Sequence, residues 1–239
     1  MPVQEHNLAA APVWLDSLIG AVRSGALERD LHVVLPERIR PKSDRHAAVL
    51  VAICGTPAAT TLPRDAAVLL THRSVTMRSH SGQIAFPGGR VDVTDTTYTH
   101  TALREAEEEV GLVASAVTPL AELEPVMVQA TGYPVTPVLA YAPNRPAVYQ
   151  ASPEEVDEVF YCNVHELIDP ARRFVVRREA WSGPAFHIRD YLIWGFTARI
   201  LAGIIRHAGW EQPWDTTTHY DLAESIARSR NNHRHEDKG

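Results

Sequence analysis

Arg104-Glu105-Ala106-Glu107-Glu108-Glu109-Val110-Gly111-Leu112 is the stretch on which the reading of this chain turns. At about 100° per residue, a helix through it gathers Leu103, Ala106 and Val110 on an apolar face. Glu105, Glu108 and Glu109 share the opposite side, and Glu107 points elsewhere. Like charges three and four positions apart cost a helix a few tenths of a kcal/mol per pair, and a divalent cation would remove that repulsion. Mg²⁺ and Mn²⁺ take hard oxygen ligands, and Mg²⁺ is often shared between one or two carboxylates and substrate phosphates. A Glu-rich face taken alone reads as solvated surface, so the cluster needs support from upstream.

The support is Phe86-Pro87-Gly88-Gly89. Two glycines permit positive φ and close backbone approach, and a carbonyl from Gly89 would suit a metal site, although a plain tight turn uses the same residues. Five residues separate Gly89 from Asp95 and eight separate Asp95 from Arg104. The helix is expected over Thr97–Val110. Before it lie strand-like runs at Ala47–Cys54 and Ala66–Thr71, expected to be neighbours, then a polar loop from His72 to Gln83. Beyond Gly111, β-prone runs fall at Val117–Leu123, Val135–Tyr141, Val156–Cys162, Phe174–Arg178 and Phe186–Ile188. Helical spacing marks Pro12–Arg23, a short helix at Val164–Ile168, and a packed helix over Tyr191–His207. Pro36–Asp44 reads as a linking loop, and Arg228–Gly239 as a frayed tail whose His233 and His235 are better taken as solvated than as metal ligands. No repeat or linker composition divides the chain. The expected organisation is an N-terminal helix and linking segment over residues 1–45, one catalytic-type domain over 46–210, and a C-terminal extension over 211–239.

Composition narrows the function classes. A formal net charge of −6 and 22% charged residues give no basic footprint for nucleic acid or an anionic membrane, so an anionic ligand must be met by local groups. No run of about 18 apolar residues reads as a membrane span, and Met1–Ala11 lacks the pattern of a signal peptide. Cys54 and Cys162 each sit in an apolar run and read as buried, inert thiols, which with the absent leader points to the cytoplasm.

The spaced Gly89, the acid, and Arg104-Glu105-x-x-Glu108-Glu109-x-Gly111 together resemble the Nudix box. The usual spacing would put a Glu where Thr96 stands, so Asp95 is a departure, one residue early and one methylene shorter. A second motif precedes the box: Leu69-Leu70-Thr71-His72-Arg73-Ser74, then Arg78, Gly82 and Phe86-Pro87-Gly88-Gly89. It resembles the signature of the coenzyme A diphosphatase branch of that family. The likeness spans roughly Ala47 to His207, with Tyr133–Pro137 and Ile193–Ala198 as later segments of the same kind. It implies an α/β (α+β) fold, the Nudix α/β/α sandwich with a mixed sheet between helices.

The resemblance also implies a chemistry, namely metal-assisted attack of water on one phosphorus of a diphosphate in a small nucleotide substrate such as coenzyme A. Glu105, Glu108 and Glu109, with the Gly89 carbonyl, are the implied ligands of Mg²⁺ or Mn²⁺, and Arg104 steadies a carboxylate. Arg73, Arg78, Gly82, Phe86 and Gly88 are the implied substrate-binding residues; the arginines offer charge and bidentate bonds to phosphate, or else form surface ion pairs. His80 reads equally as a substrate contact or a hydrogen-bonded loop residue, and Tyr191 and Trp194 as core aromatics. The general base is either Glu105 or an acid from Glu154, Glu155, Asp157 and Glu158, a cluster that also reads as a solvated turn. Other nucleoside diphosphate derivatives stay open as substrates, as does a non-catalytic ligand-sensing module, against which the three intact glutamates argue. Oligomeric state is open, a homodimer included.

Overall fold

Period-two alternation along the strand at residues 47–54 sets up two separate cores. Ala48, Leu50, Ala52 and Cys54 point to one side of the sheet, and Val51 and Ile53 to the other. The computed structural model describes residues 4–5, 7–32, 46–128 and 132–232. The expected loop at Pro36–Asp44 and the tail residues His233 and His235 lie outside the described residues. In chain order the elements are β1 (Gln4–Glu5), α1 (Asp16–Arg23), α2 (Ala26–Leu31), β2 (Ala47–Cys54), β3 (Ala67–Arg73), β4 (Ile84–Ala85), β5 (Gly88–Arg90) and α3 (Tyr98–Val110). There follow β6 (Thr118–Glu122), β7 (Val126–Met127), β8 (Pro134–Ala142), β9 (Val156–Asn163), α4 (Val164–Leu167), β10 (Arg173–Arg178), β11 (Trp181–Ile188), β12 (Tyr191–Ile193), α5 (Gly195–His207), β13 (His219–Asp221) and α6 (Leu222–Ala227).

The main sheet is mixed and runs β1-β6-β8-β2-β3-β4. Its centre is the parallel pair β2/β8, in register from Ala47 opposite Val135 to Cys54 opposite Ala142. The first half of β2 also pairs with β5 and its end with β3, which pairs in addition with β4 and β9. The expected adjacency of the first two strands therefore holds. Helix α3 covers one face: Ala102, Ala106 and Val110 pack on Ala48, Leu50, Ala52 and Val138. On the other face Leu15, Leu18, Val22, Leu27 and Leu31 from the N-terminal segment join Ile200, Leu201, Ile204 and Ile205 of α5 over Val51, Ile53, Val68 and Leu139. The result is the expected α/β/α sandwich.

Three features depart from the sequence reading. The runs at residues 173–178 and 181–188 form a second sheet, ordered β12-β11-β10-β13, with its own small core of Val176, Ala185, Leu192 and Leu222. The expected helix over Tyr191–His207 splits: Tyr191–Ile193 pairs with β11, and the helix begins only at Gly195, after an extended Trp194. A continuous apolar run does not separate a buried strand from a buried helix, and pairing with β11 decides it. The third is the C-terminal end, where Ser229 and Asn231 are buried rather than frayed.

Candidate active site

The acidic helix is held at both ends by its own residues. Thr97 caps it, its side-chain oxygen accepting from the His100 N–H at 3.0 Å. Gly111 ends it in the left-handed region at φ +64, and the exposed ring of Tyr149 lies so close that a Cβ there would overlap it. The segment carrying Tyr149 also supplies N–H groups that the helix end lacks: Tyr149 donates to the Val110 carbonyl at 3.0 Å and Ala151 to that of Glu109 at 3.1 Å. The helix lies where its spacing predicts it, with Glu107 exposed.

Glu109 is the innermost carboxylate, 2% exposed. Its Oε2 accepts from the Gly88 N–H at 3.0 Å, and its Oε1 faces Arg73 Nη1 at 3.5 Å. Burial pushes its pKa up to about 7, with Glu105 and Glu155 adding to the rise and Arg73 and the Gly88 N–H opposing it. Glu105 is raised as well, chiefly by burial, against the pull of Arg104. Its carboxylate lies over Gly89, where a Cβ would overlap it. The close approach expected of the paired glycines is thus real, and it serves the carboxylates of α3.

Arg104 is the hub of the outer site. Its Nη2 and Nε donate to the two oxygens of Asp95 at 2.8 and 3.1 Å, and its Nη1 to Glu105 and Glu108 at 3.0 Å each. A further bond reaches the Arg90 carbonyl at 3.1 Å. Asp95 also accepts from Thr101 Oγ1 at 2.9 Å and from the Asp92 N–H at 2.9 Å. These bonds, the Arg104 pair first, hold its carboxyl far below the usual range. The acid that departs from the usual spacing is therefore the anchor of Arg104.

The residues expected at the substrate divide. Arg73 faces Glu109 and also contacts Met77 Sδ at 3.0 Å, whereas Arg78 is exposed on the following loop. Gly88 spends its N–H on Glu109. Gly82 is buried against the carbonyl of Asn231, and Phe86 is buried in the α5-side core. Those last two hold the loop in place from within. His80 bonds Gln83 at 3.0 Å. Tyr191 is a core aromatic, stacked on His72 at 4.8 Å between ring centroids. Of the second acidic cluster, Glu155 acts on both Glu105 and Glu109. Asp157 accepts from the Val75 N–H at 3.1 Å, and Glu158 from Tyr191 at 2.9 Å and Arg189 at 3.2 Å. Asn231 was missed, since an Asn in a polar C-terminal stretch carries no local signal.

With this geometry in hand, comparison with known proteins is decisive: the NUDIX domain family matches residues 44–181, more than half of the chain. The chain belongs to the Nudix family. It is 38% identical over 176 residues to the uncharacterized Nudix hydrolase NudL of Shigella flexneri serotype 5b, covering 71% of this chain and 85% of that one. It is 39% identical over 172 residues to its counterpart in Escherichia coli O6:H1, covering 69% and 83%. Among solved structures it is similar to a Nudix hydrolase from M. smegmatis, RenU, at 21% identity and a TM-score of 0.46, covering 71% of this chain and 89% of that one.

Nudix hydrolases generally use divalent metal ions, and the donors of the Nudix helix can be tested against that requirement. Among the described residues no three carboxylate, imidazole or thiolate side chains converge into a ready-made cage. What α3 offers instead is oxygen only, from Glu105 and Glu109, both with pKa raised chiefly by burial, and Glu108 at the rim. That set fits a hard cation completed by waters and substrate phosphate. No helix among the described residues is long and apolar enough to cross a membrane.

Proposed function

We propose that this Nudix hydrolase cuts the diphosphate bond of a coenzyme A-type molecule, releasing 3′,5′-ADP and 4′-phosphopantetheine or its acylated form. The observation that carries the reading is the junction of the two motifs at Glu109. Arg73, from the segment that resembles the coenzyme A diphosphatase signature, and Gly88, from the loop shared by both motifs, meet the same buried carboxylate of the acidic helix. Arg78 follows Arg73 on an exposed loop, and its guanidinium supports the reading as a local positive charge for an anionic substrate of an acidic protein.

Glu105, Glu108 and Glu109, with the Gly89 carbonyl, would hold Mg²⁺ or Mn²⁺. When bound, such an ion neutralises charge on the phosphate oxygens and acidifies water. Arg104 fixes Glu105 and Glu108 relative to Asp95. Water attacks one phosphorus, the bridging P–O bond breaks, and the water proton passes to a carboxylate, for which Glu105 and Glu155 are the candidates. Asp157 and Glu158 have other partners. A cytoplasmic setting suits the two free thiols, both buried, with burial pushing Cys54 up to about 12.

Purified protein incubated with Mg²⁺ or Mn²⁺ and, separately, coenzyme A, ADP-ribose, NADH and a nucleoside triphosphate, followed by chromatographic product analysis, tests this reading. Selective release of 3′,5′-ADP from coenzyme A is the expected result. Preference for another member of the panel would keep diphosphate hydrolysis and discard the coenzyme A specificity.

A further inference from the structure

We infer that Asn231 is a positioning residue that braces the loop carrying Arg78, and with it Arg73, from the far C-terminal part of the chain. Residue 231 lies well beyond the region matched by the family. Strand β12 is an edge of the second sheet, and an edge strand leaves backbone groups that require partners when buried. Asn231, 3% exposed, provides them with its side chain. The Leu192 N–H donates to its Oδ1 at 2.8 Å, and its Nδ2 donates to the Leu192 carbonyl at 3.0 Å. One amide thus does the work of a neighbouring strand. Ser229 Oγ donates to the same Oδ1 at 2.8 Å, and the Arg230 N–H donates to the Asp190 carbonyl at 2.9 Å, fixing the segment on both sides.

The backbone of Asn231 faces the main sheet. Its carbonyl lies 2.8 Å from Nε2 of His72, the residue before Arg73 on β3. Gly82 rests on the same carbonyl at φ +68, and a Cβ there would overlap it. The loop between them is closed by the Gly82 N–H donating to the Arg73 carbonyl at 3.0 Å and the Arg73 N–H donating to that of Gln83 at 2.9 Å. Both ends of the 74–83 loop therefore sit on one residue that also ties the two sheets together. Only a side chain of this length with a donor and an acceptor meets both Leu192 groups. Asp lacks the donor, and Leu, of similar size, lacks both.

The inference rests on the proposed role of Arg73 and Arg78 at the substrate phosphates, and the test separates the two. Hydrogen exchange on the full chain, wild type against Asn231→Leu and Asn231→Asp, needs no substrate. The amides of Arg73, Ser74 and Gly82 should exchange about tenfold faster or more in the variants, with those of α3 unchanged, as expected when a buried hydrogen-bonded brace is lost. Steady-state kinetics on whichever diphosphate the wild type hydrolyses should show KM raised about tenfold and kcat within about twofold, with Asp milder than Leu. Unchanged loop exchange would overturn the inference, as would equal acceleration throughout the molecule or a fall in kcat at unchanged KM. If the wild type hydrolyses no diphosphate, the substrate reading fails while the exchange data still decide the brace.

Discussion

Glu109 combines burial, a single short hydrogen bond and a long contact to Arg73, so its charge is the least compensated in the site. Glu109→Gln is expected to lower kcat by about 100-fold or more, in the range seen when a preorganised electrostatic group is removed. Glu107→Gln, on the exposed side, should stay within about twofold in the same assay, and equal losses would refute the assignment of faces. Burial raises the Glu109 pKa from 4.5 to about 7, so the folded state holds the proton where the unfolded chain releases it. Without added divalent cation, its contribution to stability is intact below about pH 4.5. It declines as pH rises towards 7 and is level above that, a loss on the order of 3 kcal/mol. Denaturant titrations in chelator across that window should show this slope, and Glu109→Gln should flatten it. The place of Glu109 on the acidic helix was legible from the Arg104–Gly111 pattern. That Arg73 would face it was not, because the two lie 36 residues apart and meet only through packing of the loop on the helix.

At the scale of elements, α3 positions the carboxylates only as well as its ends are fixed. Thr97→Ala should cost about 1 kcal/mol in chemical denaturation, with Thr97→Ser recovering most of it. Gly111→Ala meets two obstacles at once, a left-handed φ and the ring of Tyr149, and should destabilise by more than about 1 kcal/mol. It should also reduce activity, since the Tyr149 segment leads to Glu155; unchanged turnover in a folded Gly111→Ala protein would separate that segment from the site. The span of the helix was readable because helical spacing is local, whereas its Thr97 cap and left-handed Gly111 came from the structure. The second sheet was not read as separate because β13 reaches β10 from more than 40 residues away, and residues 191–193 read as helix because their apolar run continues into α5, although their partner β11 lies just before them across Arg189 and Asp190.

At the scale of the whole molecule, the N-terminal helices are part of the core that supports the site. Leu15, Leu18, Val22 and Leu27 are fully buried with α5 against the sheet. Trp14 reaches across to the carbonyl of Thr56 at 3.1 Å and packs edge-on to Tyr141, 6.2 Å between ring centroids. Leu18→Ala should therefore cost about 2–5 kcal/mol in denaturant unfolding, and a chain starting at residue 33 should fail to fold cooperatively; near-native stability of either would show the segment to be an appendage. The sequence by itself determined the acidic helix and its carboxylate face, since period 3.6 acts between near neighbours, and the sandwich class followed from the resemblance of its motifs to the Nudix family. Only the tertiary structure decided that Asp95 anchors Arg104, that Phe86 and Gly82 serve the interior, and that Asn231 closes the loop beside the site. Each of those depends on which surfaces meet once the sheets and helices pack, and no spacing along the chain encodes that meeting.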